Sequence, residues 1–151
     1  MNKNNILITG AKGQLGRTLE HYWCDSDLAI NNELNLYDID KLDLTAAGSV
    51  EKELNSIKPR TILNTAAYTS VDDAETDPDA AFAVNATAVA TLAGWAANND
   101  CFLVHISTDF VFDGTKSVPY LPTDNASPLS VYGSSKLAGE AALQSRLPDK
   151  H

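Results

Sequence analysis

The sequence has little of what metal sites, disulfide scaffolds and membrane anchors require. Cysteine occurs twice, at Cys24 and Cys101, with no Cys-x-x-Cys pair, and the three histidines fall at no ligand spacing. That excludes a disulfide framework and offers no zinc pattern. Cationic residues are also scarce: 11 Lys and Arg stand against 20 Asp and Glu, a formal charge of -9. Nucleic acid or an anionic membrane would be repelled, so neither is expected as a partner. A phosphorylated ligand is not excluded, because backbone N–H groups hold an anion without side-chain charge. No apolar run reads as long enough to span a bilayer. The opening Met1-Asn2-Lys3-Asn4-Asn5 carries no apolar signal segment. A reducing, cytoplasmic setting is the expectation. Linkers, repeats and low-complexity tracts are missing too, and the 151 residues, 44% hydrophobic and 21% charged, read as one globular domain.

What is present is an alternation of short apolar runs and helical patterns. Ile6-Leu7-Ile8-Thr9, cut off by Gly10, reads as a buried strand. Leu15, Leu19 and Tyr22 repeat at helical spacing between Gln14 and Trp23. A second strand is expected around Leu34 and Leu36, ending near Asp38. Thr45 is placed to cap a helix from Ala46 to Ile57, with Val50, Leu54 and Ile57 on one face. Residues 61–64 form a third strand. Asp77-Pro78 is a helix start, with one long helix expected over 79–97. A fourth strand covers 102–107, a loop runs to about 127, and a last helix begins near Pro128. This order predicts an α/β fold: a Rossmann-like, doubly wound parallel sheet with helices on both faces.

Gly10-Ala11-Lys12-Gly13-Gln14-Leu15-Gly16 sets glycines three and three apart between the first strand and the first helix. Gly10, Gly13 and Gly16 would allow the sharp turn, the close approach of a pyrophosphate and tight helix-on-strand packing. The helix N-terminus adds unsatisfied N–H donors. No Gly-Lys-Ser/Thr triplet closes the turn, which excludes a P-loop. An acid at the end of the second strand would bind the adenosine ribose. Asp38 is best placed, with Asp40 and Asp43 nearby, and an Asp there favours NADH over NADPH.

Tyr132-Gly133-Ser134-Ser135-Lys136 puts a phenol and an ammonium one helical turn apart, on the same face. A free phenol titrates at about 10 and is a reluctant proton donor at neutral pH. A lysine one turn away favours the phenolate, so Tyr132 could protonate a carbonyl oxygen as that carbonyl is reduced. The fourth strand ends at Ser107-Thr108. A hydroxyl there points into the crevice where parallel sheets bind ligands, and Thr108 would add a hydrogen bond to the developing oxyanion.

With these pieces in order, the chain resembles the extended short-chain dehydrogenase/reductases, and among them most resembles the dTDP-4-dehydrorhamnose reductase family. Two stretches carry the closer likeness: Ser107-Thr108-Asp109-Phe110-Val111-Phe112 and Val71-Asp72-Asp73-Ala74-Glu75. Asn64-Thr65-Ala66-Ala67-Tyr68-Thr69 and residues 42–45, 84–86, 128–133 and 136–140 complete it. The resemblance implies that Gly10, Gln14 and Leu15 lie along the pyrophosphate and that Asp43 and Leu44 approach the adenine. Thr65, Ala66 and Ala67 would line the cofactor toward the nicotinamide. Thr108, Tyr132 and Lys136 would be the catalytic trio, Lys136 also bonding the nicotinamide ribose, and Thr108 and Asp109 would touch the sugar. The implied cofactor is NADPH or NADH. The implied reaction is reduction of the 4-keto group of a dTDP-linked deoxysugar. Asn85 would buttress the active-site strand through buried hydrogen bonds. His105 reads as a packed core or ligand-lining residue rather than a metal ligand.

Against that family, residues 1–151 are expected to be the cofactor-binding half, truncated before a carboxyl-terminal substrate domain, and to reduce the sugar poorly alone. An uncovered sheet edge makes a homodimer the expected assembly. Two other readings share these motifs. One is a dinucleotide-binding regulatory subunit resembling that of methionine adenosyltransferase. The other is a nucleotide-sugar epimerase or dehydratase, against which the Ser-Thr-Asp-Phe-Val-Phe stretch argues.

Overall fold

The computed structural model describes residues 4–147. Four parallel strands, β1 (Asn4–Thr9), β2 (Asn32–Tyr37), β3 (Thr61–Asn64) and β4 (Phe102–His105), form one sheet in the order β2-β1-β3-β4. Helix α1 (Gln14–Trp23) and the single turn α2 (Leu28–Asn31) join β1 to β2, and α3 (Ala47–Ile57) joins β2 to β3. Between β3 and β4 run α4 (Val71–Thr76), α5 (Pro78–Phe82), a π-turn (Ala83–Thr87) and α6 (Ala88–Asn98). A 3-10 turn (Asp109–Val111) and a long loop lead from β4 to α7 (Val131–Arg146).

Strand alternation sorts the core into two faces. Leu7, Ile62 and Leu103 are register partners across β1, β3 and β4 and are fully buried. They pack with Val50 and Leu54 of α3, Val89 and Leu92 of α6 and Leu143 of α7. The next row, Ile8, Leu63 and Val104, points to the other face. There Leu63 and Val104 share an apolar hollow with Leu15 and Leu19 of α1. Helices therefore cover both faces, as the alternation predicts. Two polar contacts lock α3 in place: Tyr37 Oη donates to Glu53 at 2.7 Å, and the Trp95 indole donates to Asn55 at 2.9 Å.

The structure revises several local expectations. Thr45 does not cap α3. Ala46 takes that position, while Thr45 N and Oγ1 both donate to Asp43 Oδ1, at 2.8 and 2.7 Å. Asp77 does cap α5, accepting from Ala80 N. The long helix that follows is broken by the π-turn, whose extra residue swings Asn85 into the core with no exposed surface. This helix, Pro78–Asn98, also corrects the reading that no stretch reaches bilayer length, since its 21 residues are long and apolar enough. Here it is a core helix, with Leu92, Ala93 and Ala96 fully buried. Helix α7 starts at Val131 rather than near Pro128, because Ser130 accepts from Gly133 N and caps it. Strand β4 ends at His105.

Core and surface leucines should separate cleanly. Leu54→Ala removes a fully buried side chain and should cost about 2–4 kcal/mol in urea unfolding. Leu129→Ala, at a position 81% exposed, should stay within about 0.5 kcal/mol.

Candidate active site

The carboxyl ends of β1 and β3 meet at a point where no side chain fits. Gly10 has φ +68, and a Cβ on it would lie 2.6 Å from Ala66 N and 2.8 Å from the Thr65 carbonyl carbon. Thr65 Oγ1 donates to Thr9 O at 2.7 Å and ties the two strand ends together. Gly13 N donates to Gly10 O, closing the turn. Asp38, just past β2, accepts from Lys12 N at 2.7 Å and from Ile39 N at 2.9 Å. Its carboxylate thus braces the glycine turn from the side. Gly16 is buried, and a Cβ there would sit 2.6 Å from Ala11 Cα and Gly10 O.

These contacts shape a cleft of about 970 Å³ along the carboxyl edge of the sheet. Gly10, Gly13, Gln14, Leu15, Asp38, Asp43, Leu44, Thr65, Ala66 and Ala67 all line it. Gly16 does not, and contributes packing of α1 on the turn instead. The cleft also takes in residues that motif reading passed over: Lys12, Tyr37, Ile39, Leu42, Tyr68, Thr69 and Val84. Lys12, Leu42, Tyr68, Thr69 and Val84 lie inside stretches already quoted but were given no role there, and Tyr37 and Ile39 flank Asp38. Val84 is brought to the cleft by the π-turn. The two bonds from Thr45, side chain first, hold the Asp43 carboxyl below the usual carboxylate range.

Beyond the cleft, the residues of the expected trio gather around the chain leaving β4. Thr108 Oγ1 accepts from Phe110 N at 3.2 Å and lies 3.3 Å from Asp109 Oδ1. Phe110 meets the Tyr132 ring edge-on, with centroids 5.6 Å apart. Gly133 permits this, since a Cβ there would overlap Phe110 O. Lys136 is 1% exposed, and its Nζ donates to Ile106 O at 2.5 Å. Burial brings its pKa down to about 8. Tyr132 and Lys136 therefore sit on one turn of α7, with the ammonium anchored to the end of β4.

Two buried asparagines hold this arrangement. Asn85 Oδ1 accepts from Tyr68 N at 2.9 Å, and its Nδ2 donates to Tyr68 O and to Ser135 Oγ, each at 3.0 Å. It braces the cleft-lining loop after β3 against α7, rather than the strand β4 that was expected. Gly139 lets α7 come this close, because a Cβ there would overlap Asn85 O. Asn64 accepts from Thr9 Oγ1 at 2.6 Å and stands 3.0 Å from His105 Nδ1, while His105 Nε2 faces Lys136 Nζ at 3.3 Å. Burial first, and the Lys136 charge second, push the His105 pKa down to about 4. Among the described residues no cluster of His, Cys, Asp and Glu could hold a metal ion.

A parallel sheet with a glycine turn at its first crossover and a Tyr-x-x-x-Lys helix beside its fourth strand defines an extended short-chain dehydrogenase/reductase. Residues 4–151 match the family described as RmlD substrate binding domain, and the chain belongs to that family. It is 44% identical over 143 residues to a dTDP-4-dehydrorhamnose reductase of Aggregatibacter actinomycetemcomitans, covering 95% of this chain and 48% of that enzyme. A crystal structure of a Clostridium acetobutylicum dTDP-4-dehydrorhamnose reductase superposes with a TM-score of 0.90 at 38% identity, over 95% of this chain and 50% of that one. The Bacillus anthracis dTDP-4-dehydrorhamnose reductase, solved in complex with NADP, gives 0.88 at 35% identity, again over 95% and 50%. The chain thus spans about half the length of the relatives it matches.

The depressed His105 pKa has a defined sign in stability. Between about 4 and its unfolded value of 6.5, the unfolded chain binds a proton that the folded chain refuses. Stability from the neutral ring is therefore complete above 6.5 and is lost as the pH falls toward 4. Urea midpoints should show the advantage of wild type over His105→Gln shrinking across that window. A pH-independent difference would mean that the ring does not stay neutral in the fold.

Proposed function

We propose that this chain is the cofactor-binding, proton-donating half of an NAD(P)H-dependent reductase acting on the 4-keto group of a dTDP-linked 6-deoxysugar. The observation that carries the reading is the glycine-floored cleft running along the sheet edge, with Tyr132 and Lys136 on one turn of the helix beside it. The residues fit a dinucleotide. Gly13 is exposed just before α1, and a Cβ there would lie 3.1 Å from Gly10 O. The helix N-terminus behind it has no side-chain cap, which leaves its N–H donors for an anion. Asp38 and Asp43 stand at the end of the cleft suited to adenosine, and Thr65, Ala66 and Ala67 at the end nearer β4.

When bound, the reduced nicotinamide supplies the hydride for the keto carbon. The chain's own task is the proton. Tyr132 Oη donates it to the keto oxygen, with the ammonium of Lys136 one turn away favouring the phenolate left behind. Thr108, already turned by its bond from Phe110 N, offers its hydroxyl to the same oxygen, and Asp109 beside it meets the sugar. The rest of the nucleotide-sugar site belongs to the half of the relatives' length that this chain does not span, so the sugar is turned over only when that half is supplied.

Fluorescence titration with NADPH and NADH tests the cofactor step. Saturable binding is expected, weakened at least roughly tenfold by Gly13→Val without loss of fold, since the added bulk sits where the pyrophosphate lies. A folded chain that binds neither dinucleotide would overturn the reading. In the full-length context, Tyr132→Phe should retain binding and lower turnover by about 10²–10⁴-fold. Near-normal turnover would remove Tyr132 from the proton-donor role.

A further inference from the structure

We propose that His105 is a positioning residue for Lys136: its neutral imidazole, oriented by Asn64, accepts from the lysine ammonium through Nε2 and holds Nζ at the carboxyl end of β4. This rests on the reading of Lys136 as the lysine that serves Tyr132.

The geometry leaves the ammonium few other anchors. Lys136 is 1% exposed, and the bonds to Ile106 O and toward His105 Nε2 are the ones that hold Nζ. His105 is packed under α7 as well, since a Cβ on Gly139 would lie 3.6 Å from Nε2. The ring is thus caught between Lys136 and Gly139 on one side and Asn64 on the other.

Donor and acceptor counting then decides the tautomer. An ammonium has three protons and no lone pair, so a partner facing it must present a lone pair. If Asn64 Nδ2 donates to Nδ1, a neutral ring carries its proton on Nε2 and turns a donor toward a donor. A half-turn of the amide, which exchanges nitrogen and oxygen in nearly the same space, removes the conflict. The Nδ1–H then donates to the amide oxygen, the amide nitrogen donates to the Thr9 hydroxyl, and Nε2 is free to accept. Thr9 tolerates both arrangements because a hydroxyl is donor and acceptor at once. The column Thr9–Asn64–His105–Lys136 therefore links β1, β3, β4 and α7 and ends on the ammonium.

Other charged or titratable groups near Lys136 have their own engagements. On α7, Glu140 accepts from Ser107 Oγ and opposes the burial effect on Lys136, and Tyr132 lies against Phe110. On α4, Glu75 accepts from Val131 N, and Asp73 accepts from Ser70 Oγ. Asp79 of α5 and Asp109 of the 3-10 turn are exposed. None of these replaces an acceptor at Nε2.

The experiment is nuclear magnetic resonance on the 151-residue chain, labelled at histidine and lysine. Imidazole ¹⁵N shifts at pH 7 should place the His105 proton on Nδ1. The Lys136 side chain should titrate near 8 in wild type, stay within a few tenths in His105→Gln, and fall by about one pH unit in His105→Phe, where the buried ammonium loses an acceptor. A proton found on Nε2 at pH 7, or a Lys136 titration that His105→Phe does not move, would overturn the proposal. The tautomer measurement needs no variant, so it decides even if His105→Phe does not fold. Dinucleotide titration of the same sample is a separate readout. Absence of binding there would sink the reductase reading while the His105–Lys136 contact stood or fell on its own spectra.

Discussion

A methyl group at residue 10 would collide with the backbone of Ala66, and the architecture of the cleft follows from its absence. With no Cβ, β1 can turn away at φ +68 while the chain leaving β3 crosses directly beside it. That crossing makes the floor of the cleft, and Thr65 fixes it with bonds to the carbonyls of Thr9 and Gly10. Gly16 repeats the device one turn into α1, seating the helix on the turn so that its N-terminus opens at the cleft. Asp38 adds the only charge in the brace, accepting from Lys12 N. The steric room at Gly10 and Gly16 thus brings main-chain donors to the surface a dinucleotide would use.

A second constraint lies under α7. Burying an ammonium, an imidazole and two amides in one region is costly unless each polar atom finds a partner. Among the described residues no buried side-chain nitrogen or oxygen is left without one. Asn85 is satisfied on three sides by Tyr68 and Ser135, and Asn64 is shared between Thr9 and His105. The burial of Lys136 carries a residual cost, seen in its pKa of about 8. At neutral pH the lysine is still charged, but it sits near the point of losing its proton.

How much of this the chain announced depends on how local each signal was. The spans of α1 and β3 were readable because Gly13 and Pro59 mark their starts and apolar spacing runs through them. Ten cleft residues were readable because they fall in the glycine turn, at the end of β2 or within the stretches 42–45 and 64–69. Helices α2 and α4, of four and six residues, are too short for periodicity to register. The π-turn leaves no sequence signature of its own. It is imposed by the need to turn Asn85 inward between Tyr68 and Ser135, partners 17 and 50 residues away. The caps divide in the same manner: Asp77 was legible beside Pro78, whereas Thr45 was drawn off by Asp43, a competitor two residues back. His105 could be placed in the core from its strand, but its link to Lys136 spans 31 residues and appears only once α7 is laid across β4.

The division of labour within the chain follows from where these two constraints lie. Gly10 and its neighbours build the cleft from the ends of β1, β2 and β3, all of which pair within the described sheet. Tyr132 and Lys136 hang on the end of β4, the edge strand opposite β2. Their position is secured through α7 by Gly133 on Phe110, Gly139 on Asn85 and Lys136 on Ile106 O. The cleft is thus built on the ends of three neighbouring strands, while Tyr132 and Lys136 depend on a helix docked over the strand at the other edge.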